Sequence, residues 1–207
     1  IILAGAGSGK TRVLTYKVMY LILEKKVNPL NILMVTFTNK AANEMKQRVQ
    51  RMGAAPTIAT FHSLCAKILR IEGKHIGLIP QFAIYDTQDS LDAIKEAMKK
   101  LDISVKDYKP SSILANISSA KNELINESEY SKYARGNFQE KVAKIYPVYQ
   151  KILAENHALD FDELLSRTVS LFEKNPQVLA KYQNRFQYIL IDEYQDTNRA
   201  QYILTKK

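Results

Sequence analysis

Ala4-Gly5-Ala6-Gly7-Ser8-Gly9-Lys10-Thr11 decides the reading of this chain. It follows the apolar triplet Ile1-Ile2-Leu3. It opens a helical pattern from Thr11 to about Glu24, with Val13, Leu14, Val18, Leu21 and Ile22 on one face. Strand, glycine-rich turn and helix in that order predict a phosphate loop. The glycines let the backbone curl round an anion with its N–H groups inward, and the helix start near Gly9 adds its positive dipole end. The expected nucleotide-binding stretch is Ala4–Arg12: Lys10 reaches the β- and γ-phosphates of ATP, and Thr11 ligates Mg²⁺. Ala4 stands where the strict pattern has Gly.

A second stretch answers the first. Phe186-Gln187-Tyr188-Ile189-Leu190-Ile191 is followed by Asp192-Glu193-Tyr194-Gln195-Asp196. The apolar, β-branched run predicts a buried parallel strand, and open α/β sheets gather their ligands at strand carboxyl ends. Asp192 is placed to hold Mg²⁺, and Glu193 to orient or deprotonate an attacking water.

Outward from these two motifs, strand and helix patterns alternate. Ile32–Phe37 and Thr57–Phe61 read as strands, Asn39–Arg51 and Ser63–Ile71 as helices, and Asn28-Pro29 and Gly53 as breaks. The alternation predicts an α/β fold, a doubly wound parallel sheet of the phosphate-loop type. From about Asp86 to Tyr182 helical periods dominate. The helices expected there are Ser90–Leu101, Ser111–Asn122, Asn137–Glu155 and Asp162–Glu173, with Pro147 inside the third. The expected organisation is therefore an α/β subdomain, residues 1–80 and 184–207, carrying an inserted all-helical subdomain, residues 81–183.

Charge follows the same division. Residues 1–80 hold 12 Lys/Arg against 3 Asp/Glu, residues 81–183 hold 14 against 15, and residues 184–207 hold 4 against 3. The excess lies with the phosphate loop, which points to a second polyanion besides ATP, most simply nucleic acid. Phe61 at a strand end, beside His62 and Ser63, offers a ring for a base and a hydroxyl for a phosphate; its plainer reading is a core residue. Thr36, Phe37, Thr38 and Asn39 end another strand, where they can cap the next helix and meet a phosphate. His62 has no neighbours at metal-ligand spacing. Asp160, Asp162 and Glu163 read as a capped helix start rather than a metal site. The single cysteine, Cys65, reads as a small core residue and fits an intracellular, cytoplasmic setting. No stretch is long and apolar enough for a membrane span.

These motifs together resemble the amino-terminal part of the superfamily 1 DNA helicases of the UvrD/Rep/PcrA type, most closely the PcrA branch. Ala4–Thr11 looks like motif I, Thr36–Ala42 like motif Ia and Thr60–Ser63 like motif Ib. Asp160–Leu165 resembles the family's acidic-aromatic block and Ile191–Asn198 its motif II; the likeness includes Ala120-Lys121-Asn122-Glu123-Leu124. The resemblance implies a RecA-like ATP-binding subdomain of an ATP-dependent helicase that moves 3′ to 5′ on single-stranded DNA and opens duplex junctions in repair or replication. It implies a sensing role for Gln195 towards the γ-phosphate. It also implies a second RecA-like domain, carrying further arginines, beyond this chain. The chain then reads as a trimmed fragment that supplies one wall of the ATP site. Two rivals are a helicase–nuclease arm, and a fragment that binds ATP and DNA without turnover of its own.

Overall fold

A computed structural model describes residues 9–207, with Lys10 through its backbone alone. The expected strand Ile1–Leu3 and the turn Ala4–Ser8 lie outside the described residues.

Helix α1, Lys10–Leu23, starts at Gly9, whose φ of 83° is a left-handed conformation that suits glycine. Strand β1, Ile32–Thr36, is buried along its whole length. Helix α2, Asn39–Arg51, begins where the Thr38 hydroxyl accepts from the Ala41 amide at 3.1 Å. It buries Met45 and Val49, one turn apart. Strand β2, Thr57–Thr60, runs directly into α3, Phe61–Glu72. A short strand β3, Ala83–Tyr85, precedes α4, Thr87–Lys100, where Asp86 and Asp89 form a reciprocal capping box. Then come α5, Pro110–Asn122; α6, Glu127–Tyr133; and α7, Gly136–Glu155, which continues past Pro147. Strand β4, Ala158–Asp160, leads into α8, Phe161–Lys174, followed by α9, Pro176–Arg185. Strand β5, Tyr188–Ile191, and α10, Arg199–Lys206, complete the described chain.

The chain forms two compact units. The first comprises residues up to Leu64, Phe172–Thr197 and Lys207. Its parallel sheet has the order β2-β1-β5, with Met34 beside Ile58 on one side and Leu190 on the other. Val18, Met19 and Leu21 of α1 pack with Ile32, Met34, Met45, Val49 and Ala54 to form its core. Strand β1 is central, which is why all its residues are buried. Strand β5, like β2, is an outer strand among the described residues, and Ile189 is 44% exposed there, so β5 is less buried than its composition led one to expect.

The second unit comprises Cys65–Leu171 and Asn198–Lys206. It divides from the first unit within α3 and near the end of α8. Its core joins α4, α5 and α7 through Ile94, Met98, Ile113, Ile117, Ile145, Tyr146 and Tyr149. The expectation of an all-helical insert is corrected by β3 and β4, which pair in parallel with Ile84 opposite Leu159. Three residues are too few for a period-two pattern to stand out, so this small sheet was hidden in the sequence. Helices α6 and α9 also went unforeseen. The first spans seven residues and the second starts on Pro176, which punctuates a chain as readily as it opens a helix.

This unit also carries a buried ionic cluster. Lys121 Nζ lies 2.5 Å from Asp160 Oδ2 and 3.7 Å from Glu163 Oε2, with the lysine side chain only 3% exposed. The Tyr149 hydroxyl donates to the same Asp160 oxygen at 2.8 Å, and the Lys121 ammonium lies 5.0 Å from the Tyr149 ring centroid. Gln150 and Arg167 donate to Glu163 Oε1 at 2.9 and 3.0 Å.

Candidate nucleotide and nucleic-acid site

Parallel strands in register end at one edge of their sheet. The pairings Thr36–Thr60 and Val35–Ile191, with the Asp192 amide donating to the Val35 carbonyl at 3.0 Å, bring Thr36, Thr60 and Asp192 to that edge. All three are buried, Asp192 with 7% of its surface exposed. A carboxylate at the carboxyl end of an apolar strand is a costly group to bury unless something engages it. Here the Thr11 hydroxyl, in the first turn of α1, donates to Asp192 Oδ2 at 3.3 Å across 181 positions of sequence. The first turn of α1 holds no acidic side chain to compete for an anion at its N–H groups. Thr15 donates back to the Thr11 carbonyl at 2.9 Å, which anchors that turn from within. The Arg12 guanidinium lies 5.5 Å from the Tyr16 ring centroid. The side chain of Lys10 and the turn Ala4–Ser8 are outside the described residues.

Glu193 takes φ 51° and ψ 46°, a left-handed conformation that an ordinary side chain adopts at a cost. Gln195, in the short 3-10 turn Tyr194–Asp196, donates its amide to Glu193 Oε2. Glu193 and Gln195, two and four residues past the strand end, are thus tied to each other. Among the described residues no three His, Cys, Asp or Glu side chains gather as a metal cluster. The oxygen pair Thr11 and Asp192 nevertheless fits Mg²⁺, a hard cation bound by one or two protein oxygens with water and phosphate filling the rest.

The residues expected to meet DNA fall into two groups. Thr38 and Asn39 are exposed at the start of α2, with Thr36 buried and Phe37 half-buried just before them. Phe61 is 2% exposed and packs against Phe37, ring centroids 5.6 Å apart and tilted by 60°. In this structure it is a packing residue, the plainer of its two readings. Ser63 and Thr60 cap each other: Ser63 Oγ accepts from the Thr60 amide at 3.0 Å and Thr60 Oγ1 from the Ser63 amide at 3.2 Å. His62 is half-buried between them in sequence. Asp160 caps α8 by accepting from the Glu163 amide at 2.8 Å, as the capped-start reading holds.

Sequence reasoning quoted Lys121, Asn122 and Asn198 within the family resemblance but gave them no role. Asn198 Nδ2 donates to Asn122 Oδ1 at 2.5 Å, and Asn122 Nδ2 donates to Asp162 Oδ1 at 3.2 Å. Burial pushes the Asp162 carboxyl above its ordinary range, with Ser118 and Asn122 as donors that oppose the rise. The signal was present in Lys121, a cation following the apolar positions Ile113, Ile117 and Ala120 of one helix.

No helix among the described residues is long and apolar enough to cross a membrane. The family model for the UvrD/REP helicase N-terminal domain matches residues 1–207. The whole chain is 52% identical to the ATP-dependent DNA helicase PcrA of Bacillus subtilis and covers 29% of that protein. It is 48% identical to the PcrA helicases of Staphylococcus aureus and Staphylococcus epidermidis, again over the whole chain and 29% of each relative. The chain thus spans less than a third of the length of the curated relatives it matches. Five motifs in order, a parallel sheet with its polar residues at one edge, and a match along its full length place this chain in the UvrD/REP helicase family, as an N-terminal domain.

Proposed function

We propose that this chain is the ATP-binding part of an ATP-dependent DNA helicase. In that reading residues 1–80 and 184–207 are a RecA-like subdomain, residues 81–183 its insert, and the parent translocates 3′ to 5′ on single-stranded DNA in the cytoplasm during repair or replication. The observation that carries the reading is the Thr11–Asp192 hydrogen bond. It joins the end of the glycine-rich motif to the carboxylate after the apolar strand, where a phosphate-loop enzyme needs a metal-binding pair. The relatives' printed name, ATP-dependent DNA helicase, points the same way.

The residues divide the work. The N–H groups at the start of α1 and the Lys10 ammonium cradle the phosphates. Thr11 and Asp192 hold Mg²⁺, which when bound neutralises charge developing on the phosphoryl oxygens. Glu193 accepts a proton from the attacking water, and Gln195 orients the Glu193 carboxylate by its hydrogen bond. Thr36–Asn39 and Phe61–Ser63 border the DNA path, and a second RecA-like domain of the parent closes the ATP site. In the full-length parent, Lys10→Ala should weaken or abolish ATP turnover, and Glu193→Gln should keep ATP binding while losing hydrolysis. Robust DNA-stimulated hydrolysis by the Glu193→Gln variant would overturn the assignment. The 207-residue chain alone should hydrolyse ATP very slowly and bind single strands weakly, more so as salt rises. Strong DNA-stimulated turnover by that chain would show that no second domain is required.

A further inference from the structure

Helix α1 has two faces, and only one of them is covered. At about 100° of turn per residue, Thr15, Val18, Met19 and Leu21 share one side of the helix. All four are buried, and the last three pack with Ile32 and Met34 of β1. Val13, Tyr16, Tyr20 and Leu23 fall together on the other side, at the i, i+3, i+7, i+10 spacing of a helix-packing seam. They are 41%, 54%, 44% and 55% exposed. From Val13 to Leu23 the stripe runs for about 15 Å along the helix. Its margins are basic. The Arg12 guanidinium lies 5.5 Å from the Tyr16 ring centroid, and the Lys17 and Lys25 ammonium groups lie 5.2 and 5.7 Å from that of Tyr20. Helix α1 itself holds no Asp or Glu.

Four large apolar side chains in one exposed row leave a contiguous surface that water covers poorly. A second helix laid along the row would take all four as anchors. A nucleic-acid strand fits the row less well. Bases stack on bare ring faces, whereas cations already lie over both tyrosine rings, and Val13 and Leu23 offer a base nothing to stack on. The cations along the margins instead match carboxylates at the rim of a protein contact. We propose that the outer face of α1 docks an amphipathic helix with acidic margins, supplied by the parent polypeptide outside residues 1–207. The chain spans 29% of its PcrA relative from Bacillus subtilis, so most of such a polypeptide lies outside it. A tethered segment meets the face at an effective concentration on the order of millimolar, which favours it over a free partner. The inference goes beyond the helicase reading and holds whether or not the parent hydrolyses ATP.

The test is photo-crosslinking in the dilute full-length parent, with and without a single-stranded oligonucleotide. p-Benzoylphenylalanine replaces Tyr20 in one variant and Leu23 in another, and mass spectrometry identifies the joined peptides. Each variant should cross-link within one polypeptide, to a segment outside residues 1–207 whose apolar residues recur at helical spacing beside Asp or Glu. Adding Lys17→Glu should lower the yield about twofold or more at low salt, and less at high salt, where charge is screened. Melting temperatures are measured alongside, and the Leu23 variant decides should the Tyr20 variant melt early. Cross-links only to a second polypeptide or to the oligonucleotide overturn the proposal, and so does the absence of any. A yield that Lys17→Glu leaves unchanged overturns it too, since the margins of the occupant are then not acidic. ATP turnover is assayed separately on the wild-type parent; its absence overturns the helicase reading and leaves the docking result standing.

Discussion

Lys121 Nζ and Asp160 Oδ2 lie 2.5 Å apart with both side chains nearly out of solvent. A buried pair of this kind offers little net stability over a well-packed apolar pair, because both charges lose their water. Removing one partner is another matter, since the other charge is left buried alone. Asp160 would lose its cation while still facing Glu163, so two carboxylates would share one apolar site. We therefore expect Lys121→Met to destabilise the fold by about 3–5 kcal/mol. Urea denaturation monitored by circular dichroism measures this; a loss below about 1 kcal/mol would show that water or Arg167 replaces the ammonium.

Thr38 separates two roles that sequence alone leaves superimposed. Its hydroxyl caps α2, and in the helicase reading it also lies beside DNA phosphates. Thr38→Ala should cost about 1 kcal/mol through the lost cap. Thr38→Asp preserves the cap and should leave stability close to wild type, yet it puts an anion where a phosphate would approach. In the parent, single-strand affinity should fall more for Thr38→Asp than for Thr38→Ala. Equal affinities for both variants would place DNA elsewhere.

Much of this architecture was legible because its signals are long. Asn39–Arg51 emerges as α2 with the same limits, since Thr38, the Met45–Val49 spacing and Gly53 agree on where it starts and stops. Asp192 was legible too, because an apolar run that ends in a carboxylate has few places to go in a parallel sheet. The small sheet of β3 and β4 was not, because three-residue strands leave no period. The Lys121 cluster stayed hidden for a different reason. Its members come from α5, α7, β4 and α8, and only tertiary packing brings them together. Phe61 carries two readings at once, a ring at the carboxyl end of a strand beside Ser63 and a ring that lies in the core against Phe37.

Cys65 gives a pH-dependent expectation. Burial pushes its thiol up to about 12, against which the hydrogen bond with Thr168 works only in part. The folded pKa lies above the unfolded one. The stability this group contributes is thus fully present below the unfolded value near 9 and is lost as pH rises towards about 12. The thiol should resist aromatic disulfide reagents at pH 8 in the folded protein and react at once in urea. Reaction of the native protein at the rate of a free thiol would mean that the region round Cys65 opens readily.

Glu193 offers a test in which stability and activity part company. Its left-handed backbone costs roughly 1–2 kcal/mol for a residue with a Cβ. Glycine adopts that conformation freely but gives up more chain entropy on folding, about 0.5–1 kcal/mol. The hydrogen bond with Gln195 is on the surface and contributes little. Glu193→Gly should therefore melt at or slightly above the wild-type temperature. In the parent it should lose ATP turnover at least as completely as Glu193→Gln, because no carboxylate remains to take the proton from water. Strain kept at a position where glycine is tolerated points to a side chain retained for its chemistry. Should Glu193→Gly melt well below wild type, the carboxylate is part of the scaffold and the left-handed turn no longer argues for catalysis. Should it stay stable and still hydrolyse ATP, the base lies at another residue.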